Sequence, residues 1–593
     1  MKRLLSVFVA LVLAVGFLFA GGTKEAPGPG TVGGLASVPR NRTLVTSGWD
    51  YYSQVPTPDN MSPYTGATGL NRNILSNSVF EGLFYANLMT GKIEPWMAES
   101  YSYNSDYTQV TVNLRHDVVW SDGQPFTSAD VVFTGDMLMA NAPLMTYAAQ
   151  FKADVAKVEA QGPYVVVFTL THPNSRWARD ELAYNLGQPA RFVIVPKHVW
   201  EGQDAKKFTD LDLAKGWPVG TGPYKLVYNS NNELVFDLRT DWWAAKAGLV
   251  PLPKVQRIIY RPSTSEGTPQ LYISNQVDLG RSLPAGAFEA AKNQNPDLVS
   301  WNNQGPVWGA PDGCEYRLTF NNQKAPFDNP QLHWAINYAL DRQQIVKLAY
   351  ENSTTIAVAP LSTYGEVQKY VKELKSLFDK YNVNDHDLTK VNDIMTKLGY
   401  TKDSAGMWQG PSGAPFKPVI TSGSGDPAGP VIVQQLRNAG FDASLNVEQD
   451  AAFIQDATSG NFEMHLWVHC GSAYDPYQTL EHYSSKYVAP VGQQVSSLRA
   501  YTRYSNPKLD AVLAKMAQMV PSPDNPQYVS LVSEALGYYF QDLPDITIAA
   551  ETQVIVFNTK YWKGWPTAEN PYMHPFIPWE GFGRVIETIQ PTQ

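Results

Sequence analysis

The chain has 593 residues and a formal net charge of −9, with 44% hydrophobic and 17% charged residues. Single cores stop growing at about 250–300 residues, so at least two folded units are required, and the composition excludes a disordered chain or one embedded throughout in a membrane. No block of like charges and no basic stripe is present, which argues against nucleic acid as a partner.

Lys2 and Arg3 precede an apolar run at 4–19 broken only by Ser6 and Gly16, and the small residues Ala20, Gly21 and Gly22 follow it. This is the layout of a secretory signal peptide over residues 1–20. The run is shorter than the roughly 20 residues a spanning helix needs, although retention as an anchor stays open. No Cys follows the run, so a lipid-anchored start is not expected, and the expected location is periplasmic or extracellular. Residues 21–39 are rich in Gly and Pro without apolar period and read as a flexible tether.

Ordered structure is predicted from Thr43, where TLVT reads as a strand ending near Gly48 and Trp49. QVTVNLR at 109–115 alternates polar and apolar and reads as a second strand. A hydroxyl at Thr127 or Ser128 with Asp130 behind it marks a helix start. Residues 165–170 read as a strand, 192–195 as a short strand stopped by Pro196, and 226–227, 233–238 and 255–260 as three more. Helices are predicted at 330–340, 387–398 and 429–439, the last followed by an alternating strand at 441–447, which together form a doubly wound unit. The stretch 464–470, MHLWVHC, reads as a strand with Met464, Leu466, Val468 and Cys470 on one face and His465, Trp467 and His469 on the other. His465 and His469 are then about 13 Å apart along the strand, too far to share one ion, and no metal site is expected. The Pro- and Trp-rich residues 561–593 read as a long extended return. No internal repeat is present, and strands followed by mixed units imply an α/β protein with more than one sheet.

Several stretches together resemble the bacterial extracellular solute-binding proteins of family 5, the substrate-binding components of ABC importers for peptides, nickel and oligosaccharides. They are IEPWMAESYSYNSDYTQVTVNLRHDVVWSDGQPFTSADVVFT at 93–134, VPKHVW at 195–200, PVGTGPYKL at 218–226, LTFNNQKAPFDNPQLHWAINYALDRQQIV at 318–346 and the Asp-Pro pair at 475–476. The resemblance implies a two-lobed periplasmic-binding-protein fold with a hinge. Lobe I would comprise 40–277, with an inserted subdomain, plus a return at 557–593; lobe II would comprise 278–556. It further implies a monomer that delivers a small ligand to a membrane ABC permease. In the oligopeptide-binding members a Cys at the place of Cys470 bonds to one at the place of Cys314, so the resemblance implies a Cys314–Cys470 disulfide; two buried free thiols are the alternative. Those members also hold the peptide amino group with an Asp shortly after the second Cys. Here Gly471, Ser472 and Ala473 stand there and the nearest acid is Asp475.

Aromatics make up 12% of the chain, with 16 Trp and 32 Tyr, and Trp in polar, turn-rich settings suits stacking on sugar C–H faces. YWKGWPTAENPY at 561–572 resembles the C-terminal part of the cellobiose- and mannobiose-type oligosaccharide-binding members. The expected ligand is therefore a β-linked gluco- or manno-oligosaccharide, with di- or oligopeptides as the alternative. The candidate ligand-binding residues are Trp49, Trp308, Trp467, Trp562 and Trp565, with Asn321, Asn322, Ser472 and Asp475 as polar contacts. Trp120 and Trp334 are assigned to core. A glycoside hydrolase would need two carboxylates flanking the scissile bond, which counting acids does not decide. The chain has no Gly-x-Ser-x-Gly elbow, Walker loop or HExxH, so with the resemblance the expectation is a binding protein without catalytic residues or cofactor.

Overall fold

The computed structural model describes residues 34–48, 53–66, 78–87, 89–184, 192–495, 501–575 and 582–592. The signal segment, Trp49 and most of the tether lie outside them. Among the described residues no helix is long and apolar enough to cross a membrane.

The first lobe is built on a four-stranded sheet of β1 (Thr43–Thr46), β2 (Tyr224–Asn229), β3 (Leu234–Leu238) and β4 (Arg257–Tyr260), in the order β1-β4-β3-β2. β1 runs parallel to β4, and the other pairs are antiparallel. Every residue of β1 and β4 is buried because both sheet faces are covered. Leu44, Phe236 and Ile258 join one core, while Val45, Val235 and Ile259 join another on the opposite face, as the two-residue period of a strand demands.

The subdomain inserted between β1 and β2 carries a four-stranded antiparallel sheet in which Ala98–Tyr103, Gln109–Leu114, Val165–Leu170 and Val155–Ala160 lie side by side. Helix α1 (Ser128–Asn141) opens on a capping box: Thr127 Oγ1 accepts from Ala129 N and Asp130 accepts from Thr127 N at 2.9 Å. A further helix, α2 (Trp177–Leu182), lies within the insertion against the second lobe. The expected strand at 192–195 does not form. Phe192, Val193, Ile194 and Val195 are buried as extended chain, but side chains satisfy its backbone: Thr134 Oγ1 accepts from Val195 N at 3.1 Å, and Tyr64 donates to Val193 O at 2.5 Å.

Helix α3 (Ala285–Gln294) packs Phe288 and Ala291 with Val45, Ile259, Val554 and Val556. By contact, residues just beyond 277 therefore sit on the first sheet, not with the second lobe where a boundary at 277 would put them.

The second lobe is a mixed sheet of β5 (Ala310–Phe320), β6 (Val419–Gly423), β7 (Ser444–Glu448), β8 (Met464–Cys470) and β9 (Asp545–Gln553), ordered β7-β6-β8-β5-β9. β6 is parallel to β7 and β8, and β5 is antiparallel to β8 and β9. Its core draws Leu318, Ile420, Leu466 and Ile546 from strands. It draws Ile336 from α4 (Pro330–Ala339), Ile432 from α5 (Ala428–Asn438), Leu513 from α7 (Pro507–Ala517) and Leu536 from α8 (Pro526–Asp542), with short α6 (Pro476–Leu480) beside them. The doubly wound unit read from 429–447 is α5 followed by β7. Beyond β9 the chain returns as Phe557–Asn558, antiparallel to Leu298–Val299 and packed in the first-lobe cores, so the chain passes between the lobes twice, before β5 and after β9. The return is not wholly extended: Phe582–Thr588 is helical and buries Phe582, Val585 and Ile586.

Candidate functional site at the edge of the second sheet

In open α/β sheets the carboxyl ends of parallel strands form the crevice where ligands sit. Here the carboxyl end of β6 leads to Asp426 and that of β8 to the turn 471–475. The antiparallel neighbours bring the amino end of β5 and the carboxyl end of β9 to the same edge. This edge meets the first lobe. His574 of the C-terminal return donates from Nε2 to Pro311 O at 2.8 Å, and its ring stacks on Tyr364 at 4.6 Å. Tyr364, Ala473 and Tyr474 are buried in the first-lobe core. Gly365 permits the close approach: its φ is +77°, and a Cβ there would lie 2.5 Å from Ala473 O. Burial lowers the His574 pKa to about 4, so the ring enters this contact neutral.

Cys314 and Cys470 stand opposite each other in register and are joined by a disulfide. Beside it the β5–β9 pairing is interrupted between Pro311 and Glu315, which brings Asp312 near Glu551. Gln553 Nε2 bridges the two acids, donating to Asp312 Oδ2 at 3.1 Å and to Glu551 Oε1 at 3.0 Å. One oxygen of each acid and Cys314 Sγ lie within 4.8 Å of one another; the sulfur is committed to the disulfide, leaving two carboxyls and an amide. Burial raises the pKa of both acids, and the charge of Asp312 raises that of Glu551 further. Tyr316 and Tyr350, both half-buried, stack at 4.7 Å and 25°. Burial, then the charges of Asp426 and Glu551, raises both phenols. The edge thus gathers two carboxyls, an amide and aromatic rings, with Asp312 and Gln553 buried and Glu551 half-buried, on a frame fixed by a covalent staple.

The residues proposed from sequence scatter relative to this edge. Trp467 is half-buried on β8, with Phe453 at 5.2 Å and Tyr501 at 5.7 Å. Its face-mates His465 and His469 are buried under the same aromatic cover. Trp308 is half-buried, edge-on to Phe288 of α3 at 5.3 Å.

Six of the proposed residues are engaged in hydrogen bonds of the fold itself. Trp562 and Trp565 present no open face: both are buried, with indole N–H groups donating to Thr43 O at 3.4 Å and Asn558 O at 3.2 Å, and Trp565 stacked on Phe557. Asn321 is 0% exposed and its amide donates to Gly460 O and Phe462 O; Asn322 likewise donates to Phe320 O, Thr502 O and Pro544 O. Asp475 is 0% exposed, paired with Arg176 at 2.5 Å and accepting from Tyr528 Oη at 2.5 Å. Ser472 shapes the turn, its Oγ accepting from Tyr474 N and Asp475 N. Sequence reading missed Asp312, Glu551, Gln553, Tyr316 and Tyr350. A signal existed only for Asp312, an acid two residues before the paired Cys314; Glu551 joins it through strand pairing across more than two hundred residues.

The family model for bacterial extracellular solute-binding proteins, family 5, middle region, matches residues 92–490. The glutathione-binding protein GsiB of Salmonella paratyphi A is 26% identical over 346 residues, which is 57% of this chain and 59% of that relative; the match therefore spans less than two thirds of the relative's length. A periplasmic oligopeptide-binding protein of an oligopeptide ABC transporter from Thermotoga maritima superposes with a TM-score of 0.78 at 23% identity, covering 93% of this chain and all of that one. The mannohexaose-bound form of the Thermotoga maritima protein gives 0.72 at 22% identity over 94% of this chain and 100% of that one. At these identities the structural likeness establishes the fold.

Proposed function

The chain belongs to the bacterial extracellular solute-binding proteins of family 5, and we propose that it is the substrate-binding component of an ABC importer that captures a β-linked gluco- or manno-oligosaccharide between its lobes. The observation that carries this reading is the composition of the sheet edge: Asp312, Glu551 and Gln553 beside the stacked rings of Tyr316 and Tyr350. Carboxyl and amide groups accept and donate to sugar hydroxyls, and aromatic faces take the C–H side of a pyranose. The absence of an acid among Gly471, Ser472 and Ala473 supports it, as does the mannohexaose held by a protein of the same fold. In this reading the protein acts outside the membrane, as a binding protein rather than an enzyme, and hands its ligand to a permease. Ligand contacts from both lobes exist only when the lobes are together, so binding shifts the population toward the closed form.

A di- or oligopeptide is the second reading. The Asp312–Glu551 pair could instead hold an ammonium group, and GsiB is named for binding glutathione. A thermal-shift screen separates the two, using cellobiose, mannobiose and longer β-linked oligosaccharides against di- to pentapeptides and glutathione. A ligand at about 100 times its Kd adds roughly 2.7 kcal/mol of stability. A shift with the sugars alone, lost in Glu551→Ala, is the expected result; a shift with peptides alone overturns the sugar reading.

A further inference from the structure

Arg176, immediately before α2 in the first lobe, is buried, with only 3% of its side chain exposed. Four of its five side-chain hydrogen bonds end on the second lobe. Nε donates to Asp475 Oδ2 at 2.5 Å, Nη2 to Tyr528 Oη at 2.7 Å and to Met516 O at 3.1 Å, and Nη1 to Ala517 O at 3.3 Å. The acceptors come from three elements: the N-cap of α6, the last turn of α7 and the first turn of α8. Met516 and Ala517 close α7, where helix carbonyls lack intrahelical partners and the helix end carries partial negative charge, so a guanidinium completes them. The ring of Tyr477 lies 4.4 Å from the guanidinium carbon. Three smaller contacts flank it across the same junction: Ser175 Oγ donates to Met519 O at 2.8 Å, Gln478 Nε2 donates to Asp180 Oδ2 at 2.5 Å, and Arg179 lies over Tyr474 at 4.7 Å.

We infer that Arg176 and its socket around Asp475 form a clasp between the inserted subdomain and the second lobe that holds the lobes in their closed register. The chemistry suits a reversible contact. A buried ion pair gains little net free energy because desolvation offsets attraction, and when the lobes part both charges regain water together. The planar fork accepts only one arrangement of its acceptors, so the closed geometry is specific without being welded. Asp475, at the rim of the sheet edge, thus recognises a side chain of its own protein. The inference rests on the two-lobed fold and not on the identity of the ligand.

The test uses the full chain without added ligand. Small-angle scattering and hydrogen exchange are compared for wild type, Arg176→Ala, Arg176→Lys and Asp475→Asn, with far-UV circular dichroism to verify folding. The clasp predicts a larger radius of gyration and at least tenfold faster exchange confined to α2, residues 471–480 and the start of α8, with Arg176→Lys intermediate because it cannot reach all four acceptors. Scattering and exchange unchanged in folded Arg176→Ala would overturn it. Should Arg176→Ala fail to fold, Asp475→Asn decides: unchanged compactness there makes the pair purely structural and also overturns the clasp.

Discussion

His574 shows what burial does to a single titratable side chain at the junction. Its pKa falls from 6.5 to about 4 because burial penalises the charged ring, partly offset by its hydrogen bond to Pro311 O. A group whose folded pKa is depressed binds fewer protons when folded, so its contribution is intact above pH 6.5 and is lost as pH falls toward 4. A fall of that size corresponds to roughly 3 kcal/mol. His574→Gln keeps a donor for Pro311 O but cannot acquire charge. Urea midpoints measured from pH 7 to pH 4 are therefore expected to fall less steeply in the variant, with the difference between the two proteins appearing below pH 6.5. Parallel profiles would show that the ring does not enter the fold neutral. The tryptophans teach a related lesson. Trp562 and Trp565 occupy a polar, turn-rich sequence, yet both are core, because their indole N–H groups find backbone carbonyls and need no solvent.

Elements fixed by local chemistry were readable from sequence. The Thr127–Asp130 capping box starts α1 where the hydroxyl and acid spacing places it. The alternation of QVTVNLR yields a strand at Gln109–Leu114 with Val110, Val112 and Leu114 buried. Pro330 opens α4 behind the Asn329 cap. Thr127→Ala is expected to cost about 1 kcal/mol, seen as a lower denaturant midpoint with unchanged slope; no change would mean that the subdomain supports the helix start without its cap. The extended stretch at 192–195 failed as a strand for a reason no window of sequence contains. Its apolar run satisfies burial, but its partners are Thr134 and Tyr64, brought there by the fold. The same holds for the face of β8: period two separates His465, Trp467 and His469 from the core, but it does not say that Phe453 and Tyr501 cover them.

At the scale of the whole molecule, two passages of the chain between the lobes leave freedom for a hinge, while the Arg176 contact opposes opening. Ligand and clasp then act on one equilibrium. Saturation with whichever compound raises the melting temperature is expected to compact Arg176→Ala more than wild type, because the variant starts further open. Scattering of both proteins with and without that compound measures this, and equal compaction would separate the clasp from ligand closure.

By itself the sequence determined the two-lobed α/β fold, through an ordered series of motifs that spans most of the chain, and the family to which it belongs. It determined these because caps, alternation and turn residues act over a few positions and because the motifs persist as scaffold. Only the tertiary structure decided which residues stand at the sheet edge. Asp312 meets Glu551 through the pairing of β5 with β9, and Asp475 meets Arg176 across nearly three hundred residues. Such neighbours are set by strand order and lobe contact, and a carboxylate reads the same in sequence whether it faces a ligand or an arginine of its own chain.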